Sequence, residues 1–139
     1  MPKPLFLLLA FALLALPQQA AAQAGLLTGV TELAPIKLSV MAPMAEAPYE
    51  LEAGKYYRLK IVCDGSGELG LSGAEFFRNL WINEVVIDKV EVRPLGLDSI
   101  EFDDAGTATI TFVPIRPGRF VLRQPGTTAE SQQAVFLVK

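Results

Sequence analysis

The chain has 139 residues, one cysteine and no histidine, and its formal net charge is −3. Nucleic-acid binding needs clustered Lys and Arg, so the acidic balance excludes it as a function. Without histidine the chain cannot assemble a Ser–His–Asp or Cys–His catalytic group. A single cysteine cannot form an internal disulfide, so we expect the fold to depend on a hydrophobic core.

The first 24 residues have the pattern of an export signal. Lys3 precedes a continuous apolar run from Leu5 to Leu16, which is too short to cross a bilayer as a helix. Small residues follow in the A-x-A form that signal peptidase accepts, so we expect a signal peptide over 1–24, cleaved after Ala22 or Ala24. The alternative is a permanent N-terminal anchor. We therefore expect a periplasmic protein that is not embedded in the membrane, because no second apolar run approaches spanning length.

The rest of the chain shows the alternation that is typical of β-strands. Residues 25–35 are expected to form an extended lead-in, followed by one domain over 36–139. Apolar residues recur at every second position in five segments. These predicted strands are Ile36–Val40, Tyr56–Cys63, Thr107–Val113, Arg119–Arg123 and Ala134–Val138.

Turn-forming residues separate these strands. Asp64-Gly-Ser-Gly67, Asp103-Asp-Ala-Gly106 and Pro117-Gly118 supply glycine, proline and aspartate, which favour tight turns. Only Gly73–Leu80 is predicted to form a short helical turn. Short strands at this spacing indicate an all-β class, an antiparallel sandwich with at most one short helical turn.

Five segments have a more specific pattern than the alternation alone: Tyr49–Tyr56, Glu75–Arg78, Ser99–Glu101, Gly106–Pro114 and Arg116–Phe120. They resemble the corresponding segments of the cupredoxin-like, or plastocyanin-like, domains of periplasmic proteins. The resemblance implies a Greek-key β-sandwich. It also implies where copper ligands would lie: a first histidine within 68–72, and a cysteine and a second histidine in the loop after Phe120.

The copper ligands themselves are missing. A type-1 site requires two imidazoles and a thiolate, whereas Arg123 or Gln124 stands where the thiolate would be and Thr127 where the histidine would be. We therefore expect a degenerate cupredoxin-like protein without a type-1 copper centre and without a cofactor.

Sulfur atoms elsewhere leave an alternative open. Met41 and Met44 have M-x-x-M spacing, and thioethers prefer Cu(I). With Cys63 as a third donor they suggest a periplasmic Cu(I) carrier. The plainer interpretation is that the methionines cover a sheet edge or fill the core, and that Cys63 is a small buried hydrophobe.

Acidic residues lie at two turns. Glu101, Asp103 and Asp104 surround one, and Asp64 and Glu68 flank the other. A calcium site needs six to eight oxygen ligands from a more ordered motif, so we interpret these residues as turn-forming.

The remaining candidates indicate protein binding. Phe76, Phe77, Arg78 and Trp81 lie close together in sequence, and interface centres favour aromatic and arginine side chains. The alternative for the two phenylalanines is a place in the core. With the 123–133 loop, including Arg123 and Thr127, they form the predicted binding set. We therefore expect no enzyme, but an adaptor that binds a periplasmic or inner-membrane protein.

Overall fold

The computed structural model describes residue 27 and residues 29–139. The predicted signal peptide over 1–24 lies outside the described residues, and so do residues 25, 26 and 28 of the predicted lead-in. The predicted boundary at residue 36 falls inside a sheet, because the segment before it already contains a strand.

Strands dominate the part of the chain that is described. In chain order they are β1 Thr31–Glu32, β2 Ile36–Leu38, β3 Tyr49–Leu51, β4 Tyr57–Cys63, β5 Leu69–Ser72, β6 Leu80–Ile87, β7 Val90–Val92, β8 Ser99–Phe102, β9 Gly106–Pro114, β10 Gly118–Arg123 and β11 Gln133–Val138. One helix, α1 Ala74–Arg78, lies between β5 and β6, inside the segment where a helical turn was predicted. A 3-10 turn at Glu130–Gln132 precedes β11, so the described residues contain one more helical turn than expected.

The strands form two sheets. One has the order β1-β4-β9-β6-β7, with β2 also paired to β4, and the other has the order β3-β11-β10-β5-β8. Long antiparallel ladders join β4 to β9, β9 to β6 and β10 to β11. The predicted all-β sandwich is confirmed. Its sheets are mixed, because β1 and β2 run parallel to β4 and β3 runs parallel to β11.

The core lies between the sheets, and β4 shows how alternation builds it. Along β4 the side chains of Leu59 and Ile61 are fully buried, while the intervening Lys60 is exposed. Facing them on β9, Ile110 pairs with Leu59, and Ala108 pairs with Ile61. Because alternate strand residues point to opposite faces, one face of each sheet supplies the core.

Candidate functional site

Helix α1 places its two aromatic residues in the core. Phe76 and Phe77 are each 1% exposed. The Phe76 ring stacks on Phe136 of β11, with centroids 4.1 Å apart, and meets Phe112 of β9 edge-on at 5.8 Å. The prediction that Phe76 and Phe77 present a binding surface is therefore corrected: both side chains fill the space between the sheets.

Two other members of the predicted set reach the surface. Arg78, the last residue of α1, is exposed, and Trp81 on β6 remains 47% exposed. Among the described residues neither Arg78 nor Arg116 belongs to an ion pair. Both guanidinium groups are thus free to meet an outside carboxylate.

The pairing of β6 with β9 adds a residue that the sequence did not indicate. Trp81 pairs with Val113 and Leu80 with Pro114. The N–H of Ile115 then donates to the carbonyl oxygen of Asn79 at 2.9 Å, which continues the register beyond β9. Ile115 therefore lies near Trp81, and it is 58% exposed. We call Arg78, Trp81, Ile115 and Arg116 the Trp81 surface.

The loop after β10 uses its predicted binding residues internally. The Arg123 guanidinium donates to Oε1 of Gln133 at 2.5 Å and to the carbonyl oxygen of Ala129 at 3.4 Å. The hydroxyl oxygen of Thr127 accepts from the N–H of Ala129 at 3.1 Å. Arg123 and Thr127 thus hold the loop in shape.

The three sulfur atoms occupy different environments. Met44 is fully buried and Cys63 is 3% exposed, both within the core cluster, whereas Met41 is 88% exposed. A Cu(I) site needs its soft donors to converge on one ion. Because Met41 projects into solvent while Met44 is enclosed, this arrangement gives no support to a site built from both thioethers.

A carboxylate cluster joins the two acidic turns that the sequence presented separately. Leu69 of β5 pairs with Phe102 of β8, so Glu68 comes opposite Asp103, with Glu101 beside them. One oxygen from each of these three carboxylates lies within 4.8 Å of the others, and all three residues are exposed. The hydrogen bond with Glu101, followed by repulsion from Glu101 and Asp103, raises the pKa of Glu68.

Beside this cluster is the place where the family resemblance puts copper ligands. Gly70 and Leu71 from the first segment and Gln124 and Pro125 from the loop line a cavity of about 200 Å³, together with Glu68. The donors here are carboxylates and an amide, which are hard oxygen ligands, and a type-1 copper centre needs imidazole and thiolate. The side chains present therefore do not fit that centre.

The described part of the chain has no helix long and apolar enough to cross a membrane. No family model and no curated protein matches the sequence. Solved structures do match its fold.

A multicopper oxidase from Pseudomonas thermotolerans is 16% identical, with a TM-score of 0.58 over 79% of this chain and 30% of that one. A copper nitrite reductase from Nitrosomonas europaea is 19% identical, with a TM-score of 0.53 over 69% of this chain and 34% of that one. A copper-containing nitrite reductase from Thermus scotoductus is 15% identical, with a TM-score of 0.51 over 68% and 22%. The chain thus spans about a third or less of the length of each, and its fold is cupredoxin-like.

These comparisons correct one expectation. The sequence led us to expect that the chain is not an enzyme, and this prediction is wrong by the comparisons, since all three structures belong to enzymes. The absence of histidine excludes a type-1 copper site and histidine-dependent catalytic groups in this chain. It is not evidence against a fold that enzymes also use. At 15–19% identity the likeness shows the fold alone, and it assigns no reaction to this chain.

Proposed function

We propose that this cupredoxin-like domain is an exported adaptor that binds an acidic protein partner in a periplasmic assembly through the Trp81 surface. The observation that supports this is a half-exposed tryptophan, Trp81, which the pairing of β6 with β9 brings near the exposed Ile115. Arg78 and Arg116, close to these two residues in sequence, are exposed and belong to no ion pair among the described residues. Tryptophan and arginine are the residues that dominate interface energies.

The size of the apolar contribution makes Trp81 a suitable anchor. About half of a tryptophan side chain, on the order of 100 Å², is open to solvent at this position, and burying it is worth about 2–3 kcal/mol. The 58% exposed Ile115 extends the same apolar area. An interface centred here would gain most of its affinity from these two side chains.

Charge indicates the chemistry of the partner. Arg78 lies three residues before Trp81 and Arg116 directly follows Ile115, although the chain as a whole has a formal charge of −3. Rim charges mainly raise the association rate and select partners with complementary potential. The expected partner therefore presents carboxylates around an apolar pocket.

The test is site-specific photocrosslinking in the exporting cell. A photoreactive amino acid replaces Ile115 in one variant and Met41, an exposed residue outside the Trp81 surface, in the matched control. We expect one discrete adduct from position 115 and none of the same mass from position 41. The adduct identifies the partner, which is then purified for affinity measurement.

Affinity measurements with that partner complete the test. Trp81→Ser is expected to weaken binding about 30-fold or more, the effect of removing an interface hot spot. Arg78→Glu should slow association and reduce its salt dependence, whereas Met41→Ser leaves both unchanged. Unchanged affinity in a folded Trp81→Ser variant would refute the proposal.

A further inference from the structure

Strand β7 ends the six-stranded sheet, and its outer backbone edge has no partner strand among the described residues. It pairs only with β6 among the described strands, with Ile87 opposite Val90, Val86 opposite Glu91 and Val85 opposite Val92. A two-residue turn joins the strands, and Asp88 within it has a φ of 53°. In such a hairpin the residues that flank the turn bond to each other, and bonded pairs then alternate along the ladder.

This alternation decides which backbone groups are free. Val90 and Val92 direct their N–H and C=O groups toward β6. Glu91 therefore directs its own pair outward, and Arg93, two residues on, continues the same pattern. An edge of this kind is a template for another strand.

The side chains along β7 are apolar on the face that belongs to the core. Val92 shares that face with Val85, which is 4% exposed, yet Val92 is itself 44% exposed. Its neighbours on the same face, Val90 and Ile87, are 61% and 44% exposed. The core face of the sheet is thus left exposed at this edge, and a further strand paired with β7 would continue the apolar face.

We propose that β7 pairs antiparallel with β7 of a second copy of this chain, around a twofold axis at Val92. In this register Val92 faces its own counterpart, and Glu91 of each copy faces Arg93 of the other. The outward N–H and C=O groups of Glu91 and Arg93 then bond across the interface. Pro94 has no N–H, but its backbone groups lie on the side of β6. It therefore removes no hydrogen bond from the pairing with the second copy.

Charge selects this register over its neighbours. An axis at Glu91 would oppose the two Glu91 side chains and set Arg93 against Lys89, and an axis at Arg93 would oppose the two arginines. Like charges directly opposite each other destabilise a sheet, whereas opposite charges stabilise it. Among these three, only the axis at Val92 gives opposite charges throughout, as an isologous twofold interface requires.

The local electrostatics favour the same partner. Within one copy the Arg93 guanidinium contacts both Glu91 and Glu84, so two carboxylates share one cation. The hydrogen bond with Glu91 raises the pKa of Glu84, as expected for crowded acids. The second copy's Arg93 would bring another cation to Glu91.

The experiment measures the mass of the full purified protein in solution against concentration, by sedimentation equilibrium. The wild type is expected to be a dimer that dissociates on dilution. Glu91→Arg sets arginine against arginine, and Arg93→Glu sets glutamate against glutamate. Each is expected to raise the dimer dissociation constant about tenfold or more.

The decisive arm mixes the two single variants. A Glu91→Arg chain paired with an Arg93→Glu chain has opposite charges at both positions, so the mixture should form a heterodimer as tight as the wild type. The double variant Glu91→Arg, Arg93→Glu should dimerise with itself for the same reason. Trp81→Ser, on the surface proposed for an acidic partner, is the control and should dimerise normally.

Three results would overturn the proposal. The first is a wild type that stays monomeric at its solubility limit. The second is a dimer that both folded single variants retain at full strength, which would place the interface elsewhere. The third is a mixture that does not associate, because the proposed register requires that it does.

Discussion

Phe76 connects the two halves of the molecule at the scale of a single side chain. It touches Phe112 from one sheet and Phe136 and Phe120 from the other, with centroids 4.1 to 6.5 Å away. Removing such a ring from a packed core costs about 3–5 kcal/mol. Loss of binding after Phe76→Ala would therefore report unfolding, and it could not identify an interface.

The buried phenol of Tyr49 should make the protein less stable at high pH. Its ring stacks on Phe136 with the planes 12° apart, and burial raises its pKa from 10.0 to about 12. Between these values the unfolded state loses the phenolic proton while the folded state keeps it. The contribution of Tyr49 to the free energy of unfolding should therefore be fully present below pH 10 and should be lost as the pH rises toward 12.

The measurement is urea unfolding of the wild type and Tyr49→Phe at several pH values across that range. The variant should lose less stability over it, because it has no phenol at this position to ionise. Absorbance of the folded wild type should show one tyrosine ionising near the upper end. Identical pH slopes for the two proteins would contradict this assignment.

At the scale of elements, Gly73 sets the junction between β5 and α1. Its carbonyl oxygen accepts from the N–H of Phe77 at 3.1 Å, and a Cβ added here would lie 2.6 Å from both the Val121 carbonyl oxygen and Cδ2 of Leu122. Because one of these atoms belongs to the backbone of β10, the strand itself would have to move. Gly73→Ala is therefore expected to destabilise the fold by about 1–3 kcal/mol.

The control for this prediction is Gly96→Ala, since an added Cβ there meets no heavy atom within 4 Å. That variant should keep wild-type stability or gain about 0.5 kcal/mol from a stiffer unfolded chain. Chemical unfolding of both variants measures the difference. Equal stability of the two would mean that α1 is not packed against β10 as described.

Elements with clean alternation were predictable from the sequence. β4 buries every second residue as the alternation indicates, and β10 and β11 differ from their predicted bounds by one residue at the start. On β9 the alternation is interrupted, because Thr111 between Ile110 and Phe112 is buried as well. β6 was missed because a bulge between Ile82 and Glu84 breaks the alternation. Its buried residues, Ile82 and Val85, are three apart, so no period of two exists to be recognised.

At the scale of the whole molecule, the candidate site depended on pairings that a linear sequence does not display. Trp81 and Arg78 were indicated by residue type, but Ile115 joins them only through the register of β6 with β9. Phe76 and Phe77 share that residue type and lie inside. Burial therefore decided which aromatic residues are available, and it follows from how α1 packs between the sheets.

The carboxylate cluster makes the stability of the whole domain depend on pH. Glu101 and Asp103 raise the pKa of Glu68 above its ordinary value of 4.5, so the folded state binds this proton more tightly than the unfolded state. The stability that this contributes is complete below the ordinary pKa and is lost as the pH rises through the raised value. At neutral pH the ionised cluster repels itself across the pairing of β5 with β8.

Glu68→Gln removes one charge from this cluster and should raise the melting temperature slightly at neutral pH. At pH values below the ordinary pKa of Glu68 it should have no such effect, because Glu68 of the wild type is then uncharged as well. The gain should shrink in about 1 M salt, where the Debye length falls to about 3 Å. Glu130→Gln, a change of the same charge outside the cluster, should leave stability nearly unchanged. A variant that melts earlier than the wild type at neutral pH would contradict the repulsion, because it would show that Glu68 is held there by an attraction.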